Sequence, residues 1–301
     1  MNACPPELHS YICSLASTDD GHTARSLSLV SHYFAEIALP YLYQSICVTT
    51  PSQICALERR LQTTPPHLRK IHHLYISDSG SNGGRDLVNS IGSILTFAAS
   101  TLETLAFVAS SPLTSASLLS RLFRTRFPRL HELTVSGHYP FPSSPSNFPS
   151  LERLHLVGNR NPHGLLGLGG LETAMPNLTH LRVSGLNLAV SFSEELQQAF
   201  ATSNDEDGCM FPSKFSPKLK QLIVQCGPES SSSRPNMSAR RKDEAMMKNL
   251  ESLQTIHLAL DHQVQFSLLP RRNTTDISPD EVQVDWVDRL HGKEGCWTLT
   301  G

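Results

Sequence analysis

Fourteen histidines and seven cysteines give this 301-residue chain the side chains for acid–base, nucleophilic or metal chemistry, and their spacing decides whether that chemistry can be assembled. The cysteines stand at positions 4, 13, 47, 55, 209, 226 and 296, an odd number with no Cys-x-x-Cys pair. That distribution fits reduced thiols in a cytoplasmic or nuclear protein better than a disulfide framework or a zinc site. His72-His73 and His131-Glu132 are adjacent pairs on strand-like stretches, where neighbouring side chains point to opposite faces, so neither pair can share a ligand. There is no Gly-x-Ser-x-Gly elbow, His-Glu-x-x-His helix or phosphate loop. The glycine-rich run Gly164 to Gly170 lacks the order and flanking strand of a dinucleotide loop. The expectation is a protein that is not an enzyme and takes no cofactor or metal.

The side chains that remain are suited to recognition. Arg153 and His155 lie two apart in one apolar frame, and His180 and Arg182 occupy the same offsets in another. If both frames are strands, all four project from the same sheet face and form a cationic patch. Such a patch suits an acidic or phosphorylated segment of a protein partner.

The elements that carry these residues repeat. Leu151-Glu152-Arg153-Leu154-His155-Leu156-Val157-Gly158-Asn159 has the spacing Leu-x-x-Leu-x-Leu-x-x-Asn, and its apolar frame recurs from residues 71, 102, 130, 178, 219 and 253. This pattern resembles the leucine-rich repeat, in which each unit is one strand and a return segment. The starts are 31, 28, 21, 27, 41 and 34 residues apart, so the units are irregular. Right-handed crossings would stack the strands as a parallel sheet with helices outside, an α/β solenoid over residues 49–301. The frame also predicts the inward pairs His73 and Tyr75, Thr104 and Ala106, Glu132 and Thr134, Gln221 and Ile223, and Thr255 and His257, beside the four cationic residues.

Helices are expected between the strands. Thr50-Pro51-Ser52-Gln53 reads as a capping box before Ile54, Leu57 and Leu61. Val88, Ile91, Leu95 and Ala98 make one stripe, and Leu118, Leu119, Leu122 and Phe123 another. Ser191 to Glu194 reads as a second box, and Ser238 as the cap of a run through Met246 and Leu250. Polar insertions near 203–217 and 227–237 predict loops. Ser278-Pro279-Asp280-Glu281 predicts a capping helix at 279–291 that closes the end of the solenoid, with Trp297 folding back on it.

Residues 1–48 differ in character. Pro5-Pro6-Glu7 opens a short helix bearing Leu8, Tyr11, Ile12 and Leu15 on one face, and a second helical run carries Leu27, Val30, Phe34 and Ile37. Ten large apolar residues fall between positions 27 and 43, more than two short helices can bury between them, so part of this surface should meet something else. The order Pro-Pro-Glu-Leu-x3-Ile-x2-Leu, then Leu-Ser-Leu-Val-Ser-x2-Phe, then Tyr-Leu-Tyr resembles an F-box, in the divergent form abundant in mushroom-forming fungi. Pro5, Glu7, Leu8, Ile12 and Leu15 match the first part of that motif, and Leu27, Val30, Ser31 and Phe34 match the second. The resemblance implies that these nine residues bind a Skp-type adaptor and through it a cullin scaffold. The chain would then be a substrate receptor of a ubiquitin ligase, holding a protein substrate on the repeats. The alternative reading of the same residues is a freestanding interaction scaffold whose first fifty residues cap the solenoid.

Hydrophobic residues make up 39% and charged residues 17%, enough apolar content for a folded core. A formal net charge of -2 gives no reason to expect nucleic acid as partner. No apolar run approaches the roughly 18 residues that cross a bilayer, and the first residues lack the pattern of a secretory signal.

Overall fold

The computed structural model describes residues 4–19, 21–78, 84–109, 112–137, 147–167, 170–201, 213–229, 237–259, 264–274 and 277–299. Eight parallel strands form one sheet in strict chain order: β1 Ser45–Val48, β2 His73–Ser77, β3 Thr104–Val108, β4 Glu132–Ser136, β5 Arg153–Val157, β6 His180–Leu186, β7 Gln221–Cys226 and β8 Gln265–Leu269. Each strand pairs only with its chain neighbours, so the architecture is α/β and solenoid-like. Ser45, His73, Thr104, Glu132, Arg153, His180, Gln221 and Gln265 stand in register across all eight rungs. At all seven junctions of these eight strands the strand's first amide bonds back to the residue just before the preceding strand, as in Thr104 N to His72 O and Arg153 N to His131 O, both 3.0 Å.

Six of the seven expected frames are strands at the expected register. The seventh is not. Leu253 to Leu258 belongs to helix α9, Met237–Ala259, and the last rung is Gln265–Leu269. Met246, Leu250 and Leu253 are buried at i, i+4 and i+7, so this stretch obeys the helical period and the strand frame is coincidental. Thr255 and His257 are therefore not sheet residues. One further strand, β1, lies inside the segment taken as the helical module, so residues 45–48 belong to the sheet.

Alternation along the strands gives two different faces. Leu74 and Ile76, Leu105 and Phe107, Leu133 and Val135, Leu154 and Leu156, Leu181 and Val183, and Leu222 and Val224 point one way into a single continuous core. Helices α4 Pro51–Thr63, α5 Arg85–Ala98, α6 Pro112–Arg124, α8 Val190–Ala201 and α9 cover that side; the short helix α7 spans Gly170–Ala174. The capping box of α4 is present in both directions: Gln53 N donates to Thr50 Oγ1 at 3.3 Å, and Thr50 N donates to Gln53 Oε1 at 3.2 Å. The expected box at Ser191 is absent, because α8 begins one residue earlier and Ser191 is already helical; Ser238 is likewise inside α9. The expected insertions near 203–217 and 227–237, and the run Gly164 to Gly170, lie largely or partly outside the described residues. Asn159, which completes the longest motif, is buried and accepts Asn161 N at 3.3 Å.

The chain before the sheet forms α1 Pro6–Ala16, α2 His22–Ser28 and α3 His32–Ala38. Their mutual core is small: Cys13, Ala24 and Ala38 are buried. Gln44 Nε2 ties α1 to the start of β1 by donating to Ser14 O at 2.9 Å. Gly21 has φ +84°, and a Cβ there would stand 2.8 Å from Ser45 O, so only glycine makes this turn against the strand.

After β8 the chain crosses to the sheet face opposite the helices. Helix α10, Pro279–Leu290, begins with Ser278 Oγ accepting Glu281 N at 3.2 Å. It is the helix expected over 279–291, but it does not sit on the edge of the last strand. Val282 and Trp286 pack on Tyr75, Ala106, Val108 and Val157. A single 3-10 turn, Gly295–Trp297, then places Cys296 and Trp297 against Ile223 and Leu269. Gly295 allows this return, since its φ is +52° and a Cβ would lie 2.8 Å from Asp285 O. Among the described residues no helix is long and apolar enough to cross a membrane.

Candidate protein-binding surfaces

The first surface is the outer side of α1–α3. The apolar stripe expected on α1 exists, but it faces away from the protein: Leu8, Tyr11 and Leu15 are exposed, and Ile12 is 57% exposed. Leu29, Val30, Tyr33 and Leu39 extend the patch over α2 and α3, with Leu29 87% exposed. Of the nine residues matched to the adaptor-binding motif, Pro5, Glu7, Leu8, Ile12, Leu15, Val30 and Ser31 are exposed, and Leu27 and Phe34 are half-buried. Ser31 is also the N-cap of α3, accepting Phe34 N at 3.3 Å. Phe34 packs with Tyr33 and His9, ring centroids 5.5 and 5.7 Å apart, and Tyr33 Oη lies 2.7 Å from His9 Nδ1. Folding this chain leaves these large side chains in water, which is unfavourable unless another surface covers them. The motif residues omit Tyr11, Leu29, Tyr33 and Leu39, although the density of apolar residues there was readable in the sequence.

The second surface is the sheet face under α10. The register brings Arg153 beside His180 and His155 beside Arg182 on adjacent strands, as the spacing implies. The four are not equally open. His155 is 5% exposed and Arg182 9% exposed. His155 Nε2 lies 2.9 Å from Ser184 Oγ, and Arg182 donates from Nε to the same hydroxyl at 3.1 Å and from Nη2 to Gln225 Oε1 at 3.2 Å. Burial, reinforced by the positive charges of Arg182 and Arg272, holds the His155 pKa well below its ordinary value, so this imidazole is neutral. His180 is shifted down by partial burial, then by Arg153 and Lys220. Its ring meets Trp297 edge-on at 5.9 Å, and His155 meets the same indole at 6.4 Å.

The organising residue of this face is Glu132, which the cationic-patch reading passed over. Arg289 Nε donates to both of its oxygens at 3.1 and 3.0 Å, Arg289 Nη2 lies 3.0 Å from Oε2, and Trp297 Nε1 donates to Oε1 at 3.0 Å. Arg153 stands 3.8 Å away. On the other flank Tyr75 Oη donates to Pro279 O at 2.7 Å, and its ring lies 5.8 Å from that of Trp286. Burial pushes the Tyr75 pKa up and the Cys296 thiol up to about 12, so neither ionises near neutrality. Asp285 sits near Arg182 and Arg272 without pairing to either, and burial raises its pKa to about 6. The signal that could have exposed this cover is in the sequence: inward positions Tyr75, Ala106 and Ile223 are apolar, and the chain's two tryptophans both lie near its end.

The inward histidines are desolvated, and the buried thiols Cys226 and Cys296 are shifted up rather than activated. A cleft of about 330 Å³ between β1 and α4 has an apolar floor including Ile46 and Leu57, with Arg25 and Arg60 in its lining. Among the described residues no cluster of three or more His, Cys, Asp or Glu is placed to hold a metal ion. Comparison with protein-family models, curated proteins and solved structures finds no match to this chain.

Proposed function

We propose that this protein is a substrate-receptor subunit of a cullin-RING ubiquitin ligase of the F-box type. In this reading α1–α3 are a divergent F-box that binds a Skp-type adaptor, and the strand ladder is an irregular set of leucine-rich repeats that holds a protein substrate. The observation that carries the reading is a coincidence of two independent features. Four of the nine residues that match the F-box motif, Leu8, Ile12, Leu15 and Val30, lie in an exposed apolar patch on the N-terminal helices that Tyr11, Leu29, Tyr33 and Leu39 complete. A motif retained only to cap the sheet would turn Leu8, Ile12 and Leu15 inward. The mechanism is proximity: holding a target near a ubiquitin-charged enzyme raises its effective concentration, and no residue of this chain performs chemistry.

A second reading, a non-catalytic scaffold capped by its first helices, is favoured by the Gly21 and Gln44 contacts that fasten α1 and α2 to β1. Co-purification of the full chain with a Skp-type adaptor separates the two. The receptor reading predicts a complex that Ile12→Ser with Leu15→Ser abolishes. A folded wild-type chain that binds no adaptor leaves the scaffold reading standing.

A further inference from the structure

The sheet face opposite the helices is occupied by this chain's own C-terminal segment. Val282, Asp285, Trp286 and Arg289 fall at i, i+3, i+4 and i+7, one side of α10. Each meets a matching feature of the sheet: Val282 and Trp286 an apolar shelf of Tyr75, Ala106, Val108 and Val157, Arg289 the Glu132 carboxylate, and Asp285 the field of Arg182 and Arg272. The fit is incomplete where it is most buried. Trp286 Nε1 is enclosed with no hydrogen-bond partner, as is Arg272 Nε although both Nη atoms of Arg272 bond Glu281 at 2.7 and 2.6 Å, and among the described residues no ion pair joins Asp285 to Arg182 or Arg272. A buried donor without a partner and a carboxylate desolvated without an ion pair both weaken the closed state. On the sheet side, by contrast, Arg182 is held by Ser184 and Gln225, and Arg153 stands 3.8 Å from the Glu132 carboxylate.

We propose that this face binds an amphipathic helix of a protein partner carrying an apolar residue, an acid, an aromatic residue and an arginine at i, i+3, i+4 and i+7, and that α10 with the turn after it is an internal occupant which that helix displaces. The inference rests on the receptor reading only in naming the partner a substrate. An incoming helix whose acid pairs with Arg182 and whose aromatic residue leaves no buried donor unpartnered can bind better than the resident one. A resident helix lowers the apparent affinity of any competitor by the fraction of molecules in which the face is open.

The test uses the full chain and a fluorescent synthetic peptide of residues 277–299 as the probe, with a scrambled peptide as control. Val282→Ala with Trp286→Ala weakens the resident helix while leaving the sheet intact; Arg289→Ala does so from the polar side without touching the apolar shelf. The expected result is peptide binding at least tenfold tighter by these variants than by the wild type, lost again when Glu132→Gln is added. Equal affinity for wild type and Arg289→Ala, or binding by neither, overturns the proposal. If the double variant fails to fold, the Arg289→Ala comparison alone decides. Adaptor binding measured on the same proteins keeps the two ideas apart, since its loss in the wild type removes the receptor reading and leaves the peptide result unaffected.

Discussion

Replacing Glu132 with glutamine tests how the C-terminal segment is held. The wild-type carboxylate accepts two bonds from Arg289 Nε and one from Trp297 Nε1, all at 3.0–3.1 Å. Its side chain is 12% exposed and that of Arg289 16% exposed. A hydrogen bond to a charged group contributes about 1.5–3 kcal/mol, and breaking a fully buried pair costs about 3–5 kcal/mol. Arg289 keeps a route to water and glutamine keeps one acceptor for Trp297, so the loss sits near the lower figures, about 2 kcal/mol. At about 1.4 kcal/mol per factor of ten, backbone amides in α10 should exchange with solvent roughly 30-fold faster. Amides of β3–β6, held by the separate helix-side core, should change by less than a few-fold, because local opening leaves that core intact. Hydrogen exchange read by mass spectrometry resolves the two sets. Acceleration shared equally by α10 and the strands would mean that α10 opens only with the whole domain, and no acceleration would mean that Glu132 does not hold it; either result rules out a separately opening α10 held by Glu132.

Ile12→Ser with Leu15→Ser should lower stability by only about 1 kcal/mol or less per site, because more than half of each side chain is already in water; Leu156→Ala, fully inside the core, should cost about 2–5 kcal/mol in the same urea titration. Equal losses would mean that the α1 stripe is packed rather than presented. Asp285→Asn should alter the pH dependence of stability. Burial lifts the Asp285 pKa from 3.8 to about 6, against the opposing pull of Arg182 and Arg272 and with help from Glu281 and Asp288. The folded chain thus keeps a proton that the unfolded chain releases, so this contribution is complete below pH 3.8 and is lost as pH rises through 6. Asp285→Asn should therefore be more stable than wild type at pH 7, and the gap should close by pH 4. A gap that stays constant across that range would place Asp285 in water. His155 acts in the other direction: its depressed pKa means stability present at neutral pH and lost as pH falls below the ordinary histidine value of 6.5, a loss that His155→Asn should remove.

The strand ladder was legible because a leucine frame two residues wide states both the period and the buried face, and Leu154 and Leu156 point into the core as their spacing requires. The two errors at its ends have one cause. β1 is four residues long, Ser45-Ile46-Cys47-Val48, too short to display the frame, while Leu253 to Ile256 imitates the frame inside a 23-residue helix whose longer period only a wider window reveals. The α4 capping box was readable because its partners are three residues apart. The cover on the sheet face was not, because Glu132 and Trp297 are 165 residues apart in sequence and no local pattern joins them. That gap also explains the fate of the cationic patch. Arg153, His155, His180 and Arg182 were placed on the correct face, but spacing alone does not disclose that His155 and Arg182 are desolvated beneath the chain's own end. On α1–α3 the apolar stripe was readable but its direction was not; the small core of Cys13, Ala24 and Ala38 decides that it turns outward.

We propose that the outward stripe of α1–α3 binds a Skp-type adaptor. Isothermal titration of the full chain with purified adaptor, alongside Ile12→Ser/Leu15→Ser, measures this directly. A one-to-one complex with the wild type is expected and, because apolar anchors at the centre of an interface each contribute about 1–2 kcal/mol or more, a loss of at least about a hundredfold in affinity in a variant that still unfolds cooperatively. A wild-type chain that is folded and gives no heat of binding, or a variant that binds as well as wild type, would contradict it.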